Sequence, residues 1–244
     1  MRPLSASELL RVWEQGHGKP SYRKAMLILA AACSEESTEE LAELSIGSRD
    51  SRLLTLREWT FGPELTSLTV CPACSEKLES SLNVADLRIS TPEPRNQLLH
   101  LELDDYSIDF RLPNTGDLIE AGRSSDLEQI QRELAKRCVH EIRRQDEKLT
   151  TEHLPPHVVE LLAMKMTEAD PQADTQLSLS CPVCGHSWQA LFDIVSYFWS
   201  EIQAWAVRIL REVHLLASAY GWREADILAM SPLRRHLYLG MVGP

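Results

Sequence analysis

Four cysteines stand in two matching tetrapeptides, Cys71-Pro72-Ala73-Cys74 and Cys181-Pro182-Val183-Cys184. A Cys-x-x-Cys turn presents two sulfurs on one short arc, and the proline after the first cysteine stiffens it. Gly185, after the second pair, permits the positive φ that aims backbone N–H groups at the sulfurs. Ser75 holds the equivalent place after the first pair. Thiolates suit zinc, which prefers four tetrahedral ligands. The expectation is therefore one Zn ion held by Cys71, Cys74, Cys181 and Cys184. Such a site has every position filled by protein and none left for water or substrate, so it is structural rather than catalytic. Iron on the same thiolates, two separate redox pairs, and two partly buried metal-free thiol pairs are the alternatives. A redox Cys-x-x-Cys opens a helix, whose dipole lowers the thiol pKa. Here Leu68 and Val70 lead into the first knuckle and Leu78 and Leu82 follow it, the alternation of a hairpin.

The remaining polar residues form no second site. His186 could replace one thiolate as a ligand, but it reads rather as a donor to the thiolates or a surface residue. Cys33 and Cys138 lie on apolar helix faces and read as small core residues. Asp104-Asp105 is turn chemistry, and Pro155-Pro156 breaks the helix that His153 and His157 would need to act as a pair. No nucleophile elbow, P-loop or dinucleotide fingerprint occurs. No catalytic residue is expected, and the chain does not read as an enzyme.

The elements that position the knuckles follow from the hydrophobic pattern. Helices are expected from a Ser5 or Ser7 cap to Gly16, from Ser21 toward Cys33, around Leu41 and Leu44, and over 52–61 ending at Gly62-Pro63. A Pro-containing segment near 89–96 precedes a hairpin in which Leu99, Leu101 and Leu103 alternate across from Tyr106, Ile108, Phe110 and Leu112. Asn114 caps a helix over 115–121. A longer helix is expected over 125–145, with Leu127, Ile130, Leu134, Cys138 and Ile142 on one stripe, and another opens at Pro155-Pro156. The second knuckle hairpin covers 176–192. The last residues read as helices, with Gly221 at a C-terminal cap and Ser231-Pro232 opening the final one.

The pattern repeats. Ser5, Glu8, the Cys33 helix, Leu53-Leu54 and the first knuckle recur as Asn114, Asp117, the Cys138 helix, Leu161-Leu162 and the second. The fold class expected is α+β: two duplicated halves, each helices plus a zinc-knuckle hairpin, share one zinc-ribbon-like core related by a pseudo-two-fold axis, with a helical C-terminal extension. The expected boundaries are 1–96, 97–196 and 197–244.

Composition narrows the partners. The 244 residues carry a net charge of −11, with 43% hydrophobic and 25% charged residues. No basic run marks a nucleic-acid face, no apolar run of about 18 residues marks a membrane span, and Glu8, Arg11 and Glu14 interrupt any signal-peptide core. A cytoplasmic location is expected, where thiols stay reduced. A nucleic-acid-binding zinc ribbon is the alternative function; only Lys77 and His186 near the knuckles favour it. On the terminal helices Phe198, Ile202, Trp205, Ile209 and Val213 form one stripe. That leaves Trp199, Leu210, Tyr220, Trp222, Leu237 and Tyr238 as the expected partner-binding residues.

The knuckles, the segment Phe110-Arg111-Leu112-Pro113-Asn114-Thr115-Gly116-Asp117-Leu118, the run Ala217-Ser218-Ala219-Tyr220-Gly221-Trp222, and Ser231-Pro232-Leu233-Arg234-Arg235 with Tyr238 carry a resemblance. Across most of residues 50–240 the chain resembles the baseplate-associated proteins of contractile phage tails and contractile injection systems. That group is similar to the T-even phage baseplate hub assembly chaperones. The resemblance implies a non-enzymatic assembly role with hub, spike or wedge proteins as partners. Only the four cysteines carry over as functional residues.

Overall fold

The computed structural model describes residues 1–89, 98–103, 105–121, 126–145, 147–151 and 154–242. Most of the Pro-containing segment, Asp104 of the expected turn, and His153 lie outside these residues.

Helix α1 (Ala6–Gly16) opens with a capping box, in which Ser5 and Glu8 satisfy each other's backbone N–H. Helices α2 (Ser21–Ala32), α3 (Thr38–Ala42) and α4 (Ile46–Phe61) follow. Strands β1 (Glu64–Val70) and β2 (Lys77–Asn83) flank the first knuckle, and α5 (Val84–Leu87) closes that segment. Strands β3 (Leu99–Leu103) and β4 (Tyr106–Phe110) precede helices α6 (Thr115–Ala121) and α7 (Leu127–Cys138), and then β5 (Val139–Arg144) and β6 (Glu147–Lys148). Helix α8 (Pro156–Ala169) and a 3-10 turn (Pro171–Asp174) lead to β7 (Gln176–Ser180) and β8 (Ser187–Leu191) around the second knuckle. Helices α9 (Ile194–Tyr220), α10 (Glu224–Ala229) and α11 (Pro232–Met241) complete the chain. The fold is α+β, as expected.

Two compact units result, residues 36–193 and residues 1–35 with 194–244. In the larger unit a four-stranded antiparallel sheet, ordered β3-β4-β5-β6, covers α7 and α8. Ile108, Phe110, Cys138, Ile142, Val158 and Leu162 are its buried centre. Each knuckle hairpin is a separate two-stranded sheet. The smaller unit has its own core from Leu10, Ile209, Leu216 and Ile227.

The structure corrects two helix boundaries. The helix expected over 125–145 stops at Cys138, and Val139–Arg144 is a strand. Val139 and Ile142 are three residues apart, which in a regular strand would put them on opposite faces. The ladder pairs Phe110 with Val139 but Asp109 with Glu141, so His140 is an extra, bulged residue. The bulge turns both side chains inward, and the same spacing imitates a helix in the sequence. The helix expected over 52–61 begins earlier, at Ile46. Ser45 caps it by accepting from the Ser48 N–H at 3.2 Å, and the Asp170 carboxylate accepts from the Gly47 N–H at 2.8 Å. Asp170 is buried and sits at a helix N-terminus, where the dipole favours a negative group. A Cβ on Gly47 would lie 1.8 Å from the Asp170 carboxylate, so this approach requires glycine.

The Phe110–Leu118 motif acquires a structural reason. Asn114 and Asp117 form a reciprocal capping box at the start of α6, at 3.1 and 3.0 Å. The buried Asp117 carboxylate also accepts from Arg111 at 2.5 and 3.0 Å and from Arg137 at 3.0 Å. Burial alone would raise its pKa, but Arg111, the Asn114 N–H and Arg137 hold it below the ordinary carboxylate value. Cys138, at the end of α7, is buried beside it. Burial first, and then the Asp117 charge, push its thiol up to about 12. Cys138 is a core residue as expected, and Cys33 is likewise buried.

Candidate metal centre

Each hairpin is short and turns at its knuckle. Val70 pairs with Lys77 and Ser180 with Ser187, so each knuckle is a six-residue loop at an antiparallel end. The two loops close in the same way. The Cys71 N–H donates to the Glu76 carbonyl at 2.9 Å, and the Ser75 N–H donates to the Cys71 carbonyl at 2.9 Å. The second loop repeats this with Cys181 to His186 at 2.8 Å and Gly185 to Cys181 at 2.9 Å. The residue after each second cysteine has positive φ, 62° at Ser75 and 72° at Gly185. Ser75 bears there a strain that Gly185 does not. Ser75→Gly is therefore expected to stabilise the protein, and Gly185→Ser to destabilise it, each by about 1 kcal/mol. Paired thermal melts that move together, or in the reverse sense, contradict this.

The chain folds the two knuckles onto each other. The four sulfurs lie within 4.8 Å of one another, with Cys71–Cys184 and Cys74–Cys181 both at 3.7 Å. Four sulfurs at about 2.3 Å from a tetrahedral ion stand about 3.8 Å apart, so the cluster has the size of a four-thiolate metal site. Among the described residues no histidine or carboxylate belongs to this cluster. Cys71 and Cys181 are buried, while Cys74 and Cys184 face outward.

The electrostatics point the same way. Burial opposes the Cys71 thiolate. The backbone N–H groups of Cys74 and Ala73, with the Cys74 and Cys184 thiols, nevertheless bring it down to about 7. At Cys74 the Glu76 N–H favours the thiolate, but the neighbouring sulfurs and burial push it up to about 12. At Cys184 the His186 N–H and Cys74 favour ionisation, and burial with the Cys71 and Cys181 sulfurs outweighs them. Four packed sulfurs cannot all ionise without a cation among them, and N–H groups aimed at sulfur belong to a site built for thiolates. The four cysteines together can hold a metal ion.

His186 lies outside the sulfur cluster. It is exposed, and its ring stacks on Trp188 at 5.9 Å between centroids. His157 packs edge-on to Tyr106 at 6.2 Å.

The residues expected to bind a partner separate by burial. Trp199 is buried in the smaller unit against Gly16, with the Lys24 ammonium 4.8 Å from its ring, so it packs the core and is not a surface residue. Tyr220, Trp222 and Tyr238 form one aromatic cluster with centroids 4.4–5.8 Å apart. Tyr220, Leu210 and Leu237 are exposed, while Trp222 and Tyr238 are half-buried. Sequence reasoning missed Arg235. Its guanidinium is buried, donates to Glu212 at 3.1 Å and to the Met230 carbonyl at 2.6 Å, and so ties α11 to α9 and to the end of α10. The signal was present in the Ser231–Arg235 motif, but only as a resemblance.

Among the described residues no helix is long and apolar enough to cross a membrane. No curated protein and no solved structure matches the chain. The family model described as T4 bacteriophage base plate protein matches residues 6–199, a span that takes in both knuckles and the Arg111–Asp117 motif. The chain belongs to that family.

Proposed function

We propose that this protein is a zinc-stabilised, non-enzymatic assembly or scaffolding component of a contractile-tail baseplate. It acts in the host cytoplasm and binds hub, spike or wedge proteins. The observation that carries the reading is the convergence of four cysteine sulfurs on one metal-sized cluster inside a baseplate-family chain. A site closed by four protein ligands stabilises a fold and offers no position for catalysis. Zinc is the ion proposed because four thiolates in tetrahedral spacing suit it in a reducing compartment.

The identical knuckle hydrogen bonds, and the like capping boxes at Ser5–Glu8 and Asn114–Asp117, support a duplicated origin. Boundaries near residues 96 and 196 then mark repeats, whereas the compact units divide at residues 35 and 193.

Deleting the gene from the phage that encodes it tests the role. Lysates should lose complete baseplates by electron microscopy, and the intact gene supplied in trans should restore them. Normal baseplates in the deletion would contradict the proposal.

A further inference from the structure

The four cysteines sit at the tips of two hairpins, so the angle between the hairpins decides whether the sulfurs meet. Cys74 and Cys181 are 107 positions apart in the chain. Strands of seven and five residues put each knuckle about 15–25 Å from the base of its hairpin. A swing of about 10° at a base therefore moves a tip by about 3–4 Å. That is the whole spacing of the facing sulfurs, 3.7 Å, whereas a metal site holds its ligands to within about 0.2 Å. Only Leu65 is buried among the residues of the four strands, so a core does not set this angle at the hairpins themselves.

The two bases are joined through Gln172. This residue lies in the 3-10 turn before β7 and is 4% exposed. Its Nε2 donates to the Leu87 carbonyl at 3.1 Å and to Thr175 Oγ1 at 2.9 Å. Its Oε1 accepts from the Ile89 N–H at 2.9 Å. The Thr175 hydroxyl donates back to the Gln172 carbonyl at 3.3 Å. Leu87 and Ile89 follow β2, and the base of that hairpin closes where the Val84 N–H donates to the Pro63 carbonyl at 2.9 Å. Thr175 precedes β7, and its carbonyl accepts from the Phe192 N–H at 2.9 Å to close the second base. Both amide hydrogens and the oxygen of one side chain are thus committed to joining base to base. Two residues earlier the Asp170 carboxylate holds the Gly47 N–H, so the segment that carries Gln172 is itself tied to the first half.

We propose that Gln172 is the positioning residue of the metal centre: its amide fixes the angle between the two hairpins, so that the four sulfurs stand at metal spacing before an ion arrives. This deepens the metal reading above and rests on it. Gln172 supplies no ligand and acts through Leu87, Ile89 and Thr175. With the bases locked, an ion need not first order two marginal hairpins against each other, and preorganisation of that kind strengthens binding. Ordinary packing of the larger unit is the competing role for a buried amide, and it makes a different prediction. A packing residue would loosen the four-stranded sheet when changed, whereas a positioning residue would weaken metal binding and leave that sheet intact.

The test measures the zinc affinity of the full chain by competition with a chromophoric chelator. Gln172→Met keeps the side-chain volume and removes all three bonds. It is expected to bind zinc about tenfold more weakly, the scale of loss when a supporting partner of a metal site is removed. Cobalt in the variant should keep the absorption of a four-thiolate site, because the ligands are unchanged. Thr175→Val should weaken zinc binding in the same direction, and Thr175→Ser, which keeps the hydroxyl, should match the wild type. Gln189→Met removes a bond within the second hairpin alone and should also bind as the wild type does. In the metal-free variants, hydrogen exchange at 106–110 and 139–142 should stay as slow as in the wild type. Wild-type affinity in Gln172→Met, or an equal loss in Gln189→Met, would overturn the proposal. So would weaker binding that comes with faster exchange in the four-stranded sheet, since Gln172 would then hold the fold at large. A wild type that takes up no zinc ends the metal reading and this inference together; a wild type that binds zinc no better than Gln172→Met ends this inference alone.

Discussion

Replacing any one of Cys71, Cys74, Cys181 and Cys184 with serine is expected to abolish stoichiometric metal binding and lower the thermal midpoint by about 10–20 °C. The reason lies in how little else holds the knuckle hairpins. Of the residues in β1, β2, β7 and β8 together, only Leu65 is buried, and the cysteines Cys71 and Cys181 are the buried residues beyond it. Isolated two-stranded hairpins are marginal in water. The ion therefore supplies the cross-link that a core would otherwise provide. Structural zinc contributes about 10–16 kcal/mol in small finger peptides, where no other core exists. Here the sheet over α7 and α8 has its own buried centre, so the loss should be partial and local. Hydrogen exchange after chelation should speed up across residues 64–83 and 176–191, while 106–110 and 139–142 stay protected. Global unfolding on chelation, or no change in the hairpins, would contradict this division.

Removing the Asp117 carboxylate should be the most damaging change away from the metal. Asp117→Ala is expected to cost about 3 kcal/mol, read from denaturant midpoints, because it removes the α6 capping box and strips Arg111 and Arg137 of their shared anion. Both arginines are more than a third exposed, so water relieves part of the loss and the cost stays below that of a wholly buried pair. The pH dependence has a definite sign. The native pKa of Asp117 lies below its ordinary value, so the native state favours the carboxylate. Its contribution is fully present above the unfolded value of about 4 and disappears as pH falls through the lowered native value. The stability gap between the wild type and Asp117→Asn should thus be constant near neutrality and narrow only in acid. A gap that widens on acidification would show that the carboxylate is not what the arginines hold.

The metal cluster was readable because its signal is local. Two Cys-Pro-x-Cys turns, each inside an alternating apolar hairpin, state both the ligands and the turn that aims them. The start of α4 has a local cap in Ser45, but Gly47 two residues on obscures it, and the Asp170 carboxylate that accepts the Gly47 N–H comes from far along the chain. Strand β5 was misread for a physical reason: the bulge at His140 places residues three apart on one face, the spacing of a helix. Trp199 falls one position off the Phe198 stripe, which is what sets it among the expected partner-binding residues. It is buried because α1 ends in Gly16, which leaves room for an indole. The Arg111–Asp117 motif was visible as a pattern, and the Asn114-x-x-Asp117 spacing alone indicates a cap, but the reach of Arg137 to the same carboxylate belongs to tertiary structure.

One ion is expected to join both knuckles. X-ray absorption on protein purified without chelator, combined with metal analysis, tests it most directly. The result expected is one zinc per chain, surrounded by four sulfurs at about 2.3 Å. Two ions per chain, a mixed shell of sulfur and nitrogen, or metal-free protein with the fold intact would contradict it.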